Sequence, residues 1–136
     1  MSITLENYFT ANGKYPERAT HPELTNELKA NAIRLLAILN PFLEELGVKN
    51  PIVSSGFRPS DVNAATPGSA KRSLHMSCLA CDLADADGKL DALIASRDDL
   101  KKKYGVWQED PKSTQGGWAH CDIKDRGKRK DNTFIP

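Results

Sequence analysis

Eight apolar residues between positions 24 and 46, Leu24, Leu28, Leu35, Leu36, Leu39, Phe42, Leu43 and Leu46, recur mostly at three- and four-residue steps. That spacing buries one face of a long helix, and the rest of the chain must pack around it. Thr20 is the expected N-cap, with Pro22 in the first turn and Glu23 and Glu27 near the positive end of the dipole. Pro41 is expected to kink or split the helix near Leu39-Asn40, because it lacks an amide donor. Gly47 ends it.

Downstream the period changes. Ile52-Val53 opens a short strand running to Arg58, and Pro59 ends it before a polar loop containing Pro67-Gly68. Leu79 to Leu83 reads as a second strand, and about Lys89 to Lys103 as a second helix with Leu90, Leu93, Ile94 and Leu100 inward and three lysines at its negative end. Val106 to Glu109 and Trp118 to Ile123 read as two strands joined by the turn-rich Asp110 to Gly117. Helix, strand, loop, strand, helix and hairpin do not form a βαβ series. The expected class is therefore α+β, with helices on one face of a small, largely antiparallel sheet. One domain over 1–136 is expected: a helical part at about 20–47, a part at about 52–123 bearing the candidate site, and a basic tail, 124–136.

Acidic and basic residues nearly cancel, 18 against 19, so the net charge of +1 draws no nucleic acid, and no apolar stretch approaches the roughly 20 residues that insert across a membrane. Without a basic and apolar leader in Met1 to Tyr15, synthesis in the cytoplasm is expected. Cys78, Cys81 and Cys121 are too few for a disulfide scaffold. They also fit part of a structural zinc site or a redox pair, but Cys81 and Cys121 fall in the inward phase of their strands.

Two of the three histidines, His75 and His120, lie in short apolar-flanked segments of the second half, and Asp82 sits in the otherwise uncharged run Leu74 to Leu83. An ionised carboxylate there is costly unless paired or bound to metal. Seven residues of helix would separate His75 from Asp82 by about 10 Å, and an unbroken strand would put them on opposite faces. The chain must bend between them, with His75 on a loop and Asp82 in a strand. Alternation then groups Asp82 with Ala80, and His120 with Trp118 and Asp122, away from the core. Two imidazoles and a carboxylate suit zinc with one position left open.

Ser73-Leu74-His75 through Ala80-Cys81-Asp82 resembles the S-x-H-x-x-G-x-A-x-D motif of zinc D-alanyl-D-alanine carboxypeptidases and L-alanyl-D-glutamate endopeptidases. Trp118-Ala119-His120 resembles their second metal motif, and Ser55-Gly56-Phe57-Arg58-Pro59 through Asn63 is similar to the segment that precedes both. The ordered matches span Ser54 to Ile123 and look closest to a short, phage-encoded branch. The resemblance implies Zn2+ held by His75, Asp82 and His120, and Arg58 on the scissile carbonyl or the oxyanion formed from it. Ser73, Ser55 and Asn63 become supporting or substrate-binding residues, and Trp118 a cleft wall. Peptidoglycan stem peptides become the substrate, reached by a lysin through a membrane pore or by a virion component.

This chain departs from the family twice. Gly117 stands where many members carry an acidic residue, three positions before the last histidine, and Cys78 stands at the motif's glycine. Glu109 is the candidate proton shuttle in its place, with Asp110 and Asp122 as fallbacks. The rival reading is a non-catalytic metal-binding structural or wall-binding module in which Gly117 marks lost catalysis. His21 is read as a local feature at a helix start, and Lys124 to Lys130, five basic residues and one acidic, as a solvated run.

Overall fold

In the computed structural model, which describes residues 2–127 and 131–136, the long helix α2 spans Asn26–Leu46. Thr25, not Thr20, caps it, accepting the Leu28 amide on its side chain, and Gly47 closes it at φ 84°. Thr20 instead ends a 3-10 helix, Pro16–Thr20, and Glu23 works elsewhere: its carboxylate takes the Ser60 amide and hydroxyl at 3.0 and 2.8 Å. Pro41 lies within one uninterrupted helix. Its cost of about 3 kcal/mol is smaller than the burial of Leu35, Leu36, Leu39, Phe42 and Leu43, each worth about 1.5–3 kcal/mol.

Glu23 thereby caps a helix that replaces part of the expected polar loop: α3, Ser60–Ala65, which follows directly on Pro59. A further short helix, α1 (Leu5–Thr10), precedes α2 and is tied down by Asn40, which clasps both the amide and the carbonyl of Ile3. The expected helix over 89–103 is two, α4 (Lys89–Ala95) and α5 (Asp98–Tyr104), because Arg97 leaves the helical region at φ −125°, ψ 61°. The break lets both Ile94 and Leu100 reach the core. It also turns Lys101 inward, where it is fully buried rather than solvated at a helix end.

Five strands form one sheet: β1 Val53–Ser55, β2 Ala80–Ala84, β3 Trp107–Glu109, β4 Trp118–Asp122 and β5 Thr133–Phe134, in the order β1-β2-β4-β3-β5. All pairings are antiparallel except β3 with β5, so the sheet is mixed and the class is α+β. Alternation holds as read: Cys81, Leu83, Ala119 and Cys121 join the helix-side core with Leu39, Phe42 and Val53. Asp82, His120 and Asp122 occupy the other phase, and Asp82 and His120 are direct cross-strand partners. The C-terminal tail is not simply solvated, since Thr133–Phe134 pairs beside β3. Of the basic run, Lys128, Arg129 and Lys130 lie outside the described residues. Among the described residues no helix is long and apolar enough to cross a membrane.

Candidate metal centre

Three pieces of chain meet on the open side of β2 and β4. Asp82 comes from β2, His120 from β4, and His75 from the 3-10 turn Leu74–Ser77, the bend the sequence demanded. Ser73 caps that turn, its hydroxyl accepting the His75 amide at 3.2 Å, and the turn closes at Cys78 with φ 57°. That conformation explains the family's glycine at this position, and cysteine occupies it here at a steric cost. The Cys78 thiol does not turn toward the site: it is buried against the Tyr8 hydroxyl, and burial pushes it up to about 12. Cys81 and Cys121 are likewise buried and free, so the thiols form neither a disulfide nor part of the His-Asp-His cluster.

One candidate ligand atom from each of His75, Asp82 and His120 lies within 4.8 Å of the others, and all three residues are buried. Each Asp82 oxygen faces one imidazole: Oδ2 lies 3.3 Å from His75 Nε2, and Oδ1 2.8 Å from His120 Nδ1. The remaining ring nitrogens are already engaged, His75 Nδ1 with the Gly56 carbonyl at 2.8 Å and His120 Nε2 with Asp122 Oδ2 at 2.8 Å. Outer partners of this kind select the tautomer and orientation of a ligating histidine. Two nitrogens and a carboxylate oxygen converging this way fit a zinc ion with an open position.

Electrostatics are dominated by the same three groups. Burial alone would raise the Asp82 carboxyl, but the adjoining His75 and His120 outweigh it and hold it well below the carboxylate range. Burial works against the charged form of His120, yet its hydrogen bonds to Asp122 and Asp82 push the imidazole up to about 10. A cation held there would compete with a proton for the His120 nitrogen that faces Asp82.

Arg58 stands at the edge of this cluster. Its Nη2 lies 3.9 Å from Asp82 Oδ2 and donates to Ser55 Oγ at 3.3 Å, while Nη1 donates to Asn63 Oδ1 at 3.2 Å. Its amide also donates to the His75 carbonyl, so strand end and turn are joined. Ser55 and Asn63 thus aim the guanidinium, and Asn63 is itself held to the Ala70 carbonyl.

Glu109, at the end of β3, is half-buried. Burial raises its carboxyl, His120 lowers it and Asp82 raises it, which places it within the field of the cluster. The two fallbacks are otherwise engaged. Asp110 caps the next 3-10 turn through the Lys112 amide. Asp122 is fully enclosed behind His120. Gly117 has φ +105°, a conformation an acidic residue rarely adopts. Trp118 is half-buried, with its ring packed so closely on Gly116 that a Cβ there would lie 2.2 Å from it. His21 lies at the end of the 3-10 helix rather than at the start of α2: its Nδ1 accepts the Glu23 amide, and its Nε2 lies 3.9 Å from Asp61 Oδ1 on α3.

Sequence reading missed Arg126 and Phe134. Arg126 grips both oxygens of Asp122, and Phe134 packs edge-on to His120 with centroids 5.6 Å apart. Neither carries a periodic signal, since one lies in a basic run and the other in a two-residue strand.

A mixed sheet backed by helices, with a buried His-Asp-His cluster and an arginine at its rim, defines a small α+β protein of the metallopeptidase type. The family model described as Peptidase M15 matches residues 7–122, and the chain belongs to that family, whose members are generally zinc-dependent peptidases. No curated protein and no solved structure matches the chain.

Proposed function

We propose that this protein is a zinc-dependent peptidoglycan peptidase that cuts stem peptides, with His75, Asp82 and His120 as its metal ligands. One observation carries the reading: the candidate ligand atoms lie within 4.8 Å of one another while the outward nitrogens of both imidazoles are already committed to Gly56 and Asp122. Zinc held there supplies a Lewis acid for the scissile carbonyl and for water. The chain's own groups do the rest. Arg58, braced by Ser55 and Asn63, presents N–H donors to the oxygen on which charge develops. Glu109 accepts the proton of the attacking water and delivers it to the departing amine, a task suited to a carboxyl raised by burial. Trp118, the first residue of the strand that bears His120, walls the cleft.

The positive φ of Gly117 suits a β3–β4 connection that carries no side chain at that place, and the reading takes the shuttle from Glu109, partly buried at the end of β3 and within the field of His120 and Asp82. The likeness to a short phage-encoded branch supports a phage or prophage origin, with the enzyme acting on the wall after release through a membrane pore or as part of a virion. Mass analysis of peptidoglycan digested by the zinc-loaded protein tests the proposal. Loss of terminal D-Ala or cleavage between L-Ala and D-Glu is expected. A zinc-loaded protein that leaves every stem peptide intact returns the chain to the non-catalytic module.

A further inference from the structure

Past residue 122, where the family match ends, the chain comes back to the metal centre. Arg126 Nη1 and Nη2 donate to Asp122 Oδ1 and Oδ2 at 2.7 and 3.0 Å, and the Lys124 amide adds a third bond at 3.1 Å. The guanidinium carbon lies 3.8 Å above the Phe134 ring and 5.4 Å from that of Trp107. Phe134 is itself fixed in β5 by the Asp110 amide at 2.8 Å, and its ring also meets His120. Imidazole, carboxylate, guanidinium and aromatic ring thus form a closed set, and the Asp122 side chain at its centre has no exposure. A two-pronged pair around an enclosed carboxylate is a geometric constraint as well as an ion pair.

We infer that Arg126 is a positioning residue of the metal centre: its fork holds Asp122 as acceptor for His120 Nε2–H, which leaves Nδ1 as the nitrogen offered to the metal, and Phe134 covers the pair. The purpose of the device rests on the metallopeptidase reading, whereas the hold on the imidazole is a property of the chain itself. A guanidinium suits the task because an ammonium cannot meet both oxygens in one plane.

The test uses the full chain with Arg126→Ala and Arg126→Lys, each alone and combined with Asp122→Asn. Zinc affinity is read by competition with a chromophoric chelator, and the His120 Nε2 proton by its downfield NMR resonance. Arg126→Ala is expected to weaken zinc binding about 10- to 100-fold, with Arg126→Lys between it and the parent. In the Asp122→Asn background Arg126→Ala should add little, because the effect runs through that carboxylate. The ring-proton resonance should be sharp in the parent and broadened or lost in Arg126→Ala. Unchanged affinity with an unchanged resonance, or losses that simply add to those of Asp122→Asn, overturns the inference. If Arg126→Ala does not fold, Arg126→Lys decides by the same two readouts. Should the parent bind no zinc, the metallopeptidase reading falls, and the ring proton alone then upholds or overturns the hold on His120.

Discussion

His75 and His120 approach one carboxylate through different ring nitrogens, Nε2 in one and Nδ1 in the other, so neither can replace the other by rotation. His75→Ala or His120→Ala is therefore expected to abolish stoichiometric zinc, measured by elemental analysis of protein loaded to about one ion per chain. Full occupancy in both variants would remove them as ligands. Arg58→Lys should keep fold and metal while lowering kcat, since a point charge loses the paired contacts to Ser55 and Asn63; unchanged turnover would take Arg58 out of the mechanism. Glu109→Gln should slow hydrolysis about 100-fold or more at constant zinc content. Burial raises the Glu109 carboxyl, so its ionised form opposes folding above its pKa, and that cost disappears as pH falls through it. The glutamine variant should thus melt at the same temperature as the parent or slightly higher at neutral pH. Its rate profile should lose the acidic limb that reports this carboxylate in the parent. His75, Asp82 and His120 were legible because a buried charge and two histidines in apolar settings need a common explanation. The role of Asp122 was not, because alternation along a strand gives a face and says nothing of what stands behind it.

Gly56 and Cys78 show how single backbone positions in turns and strand ends hold the elements together. A Cβ at Gly56 would lie 2.0 Å from the Tyr8 carbonyl oxygen, so α1 rests directly on the end of β1, and the same glycine's carbonyl holds His75. Gly56→Ala should cost about 1–3 kcal/mol or more in denaturant unfolding and loosen zinc as well. An alanine variant as stable as the parent would contradict that packing. At Cys78 the left-handed turn disfavours a β-branched side chain, so Cys78→Val should lose about 1–3 kcal/mol, whereas Cys78→Gly should keep its zinc. Loss of zinc from the glycine variant would mean that the thiol is a ligand after all. At this scale long periodic patterns were readable and short elements were not. α2 and the phases of β2 and β4 follow from apolar spacing, but α3 owes its start to Glu23, far away in sequence, and β5 is only two residues long. The break at Arg97 was hidden because Ile94 and Leu100 fit either one helix or two.

Across the molecule, a buried polar chain on the helix side of the sheet ties β3 to everything around it. The Lys101 ammonium donates to Gln108 Oε1 at 3.1 Å and Thr133 Oγ1 at 2.9 Å, Gln108 donates to Asp91 at 2.7 Å, and Thr114 donates to the other Asp91 oxygen. α4, α5, β3, β5 and the connection after Glu109 are thereby joined. Lys101→Met keeps the bulk but orphans Gln108 Oε1, and should cost about 1–3 kcal/mol in chemical denaturation. A neutral result would show that the chain of bonds contributes no net stability. Composition could not reveal it, because a lysine near a helix end reads as solvated. The direct pairing of Asp82 with His120 across β2 and β4 carries one more consequence, for amide exchange. Two of the proposed ligands meet whenever that ladder forms, so only the turn bearing His75 remains to be recruited. Zinc should therefore slow deuterium uptake most at 56–58 and 73–78, where local opening governs exchange, and least in the two central strands, whose protection reports global unfolding.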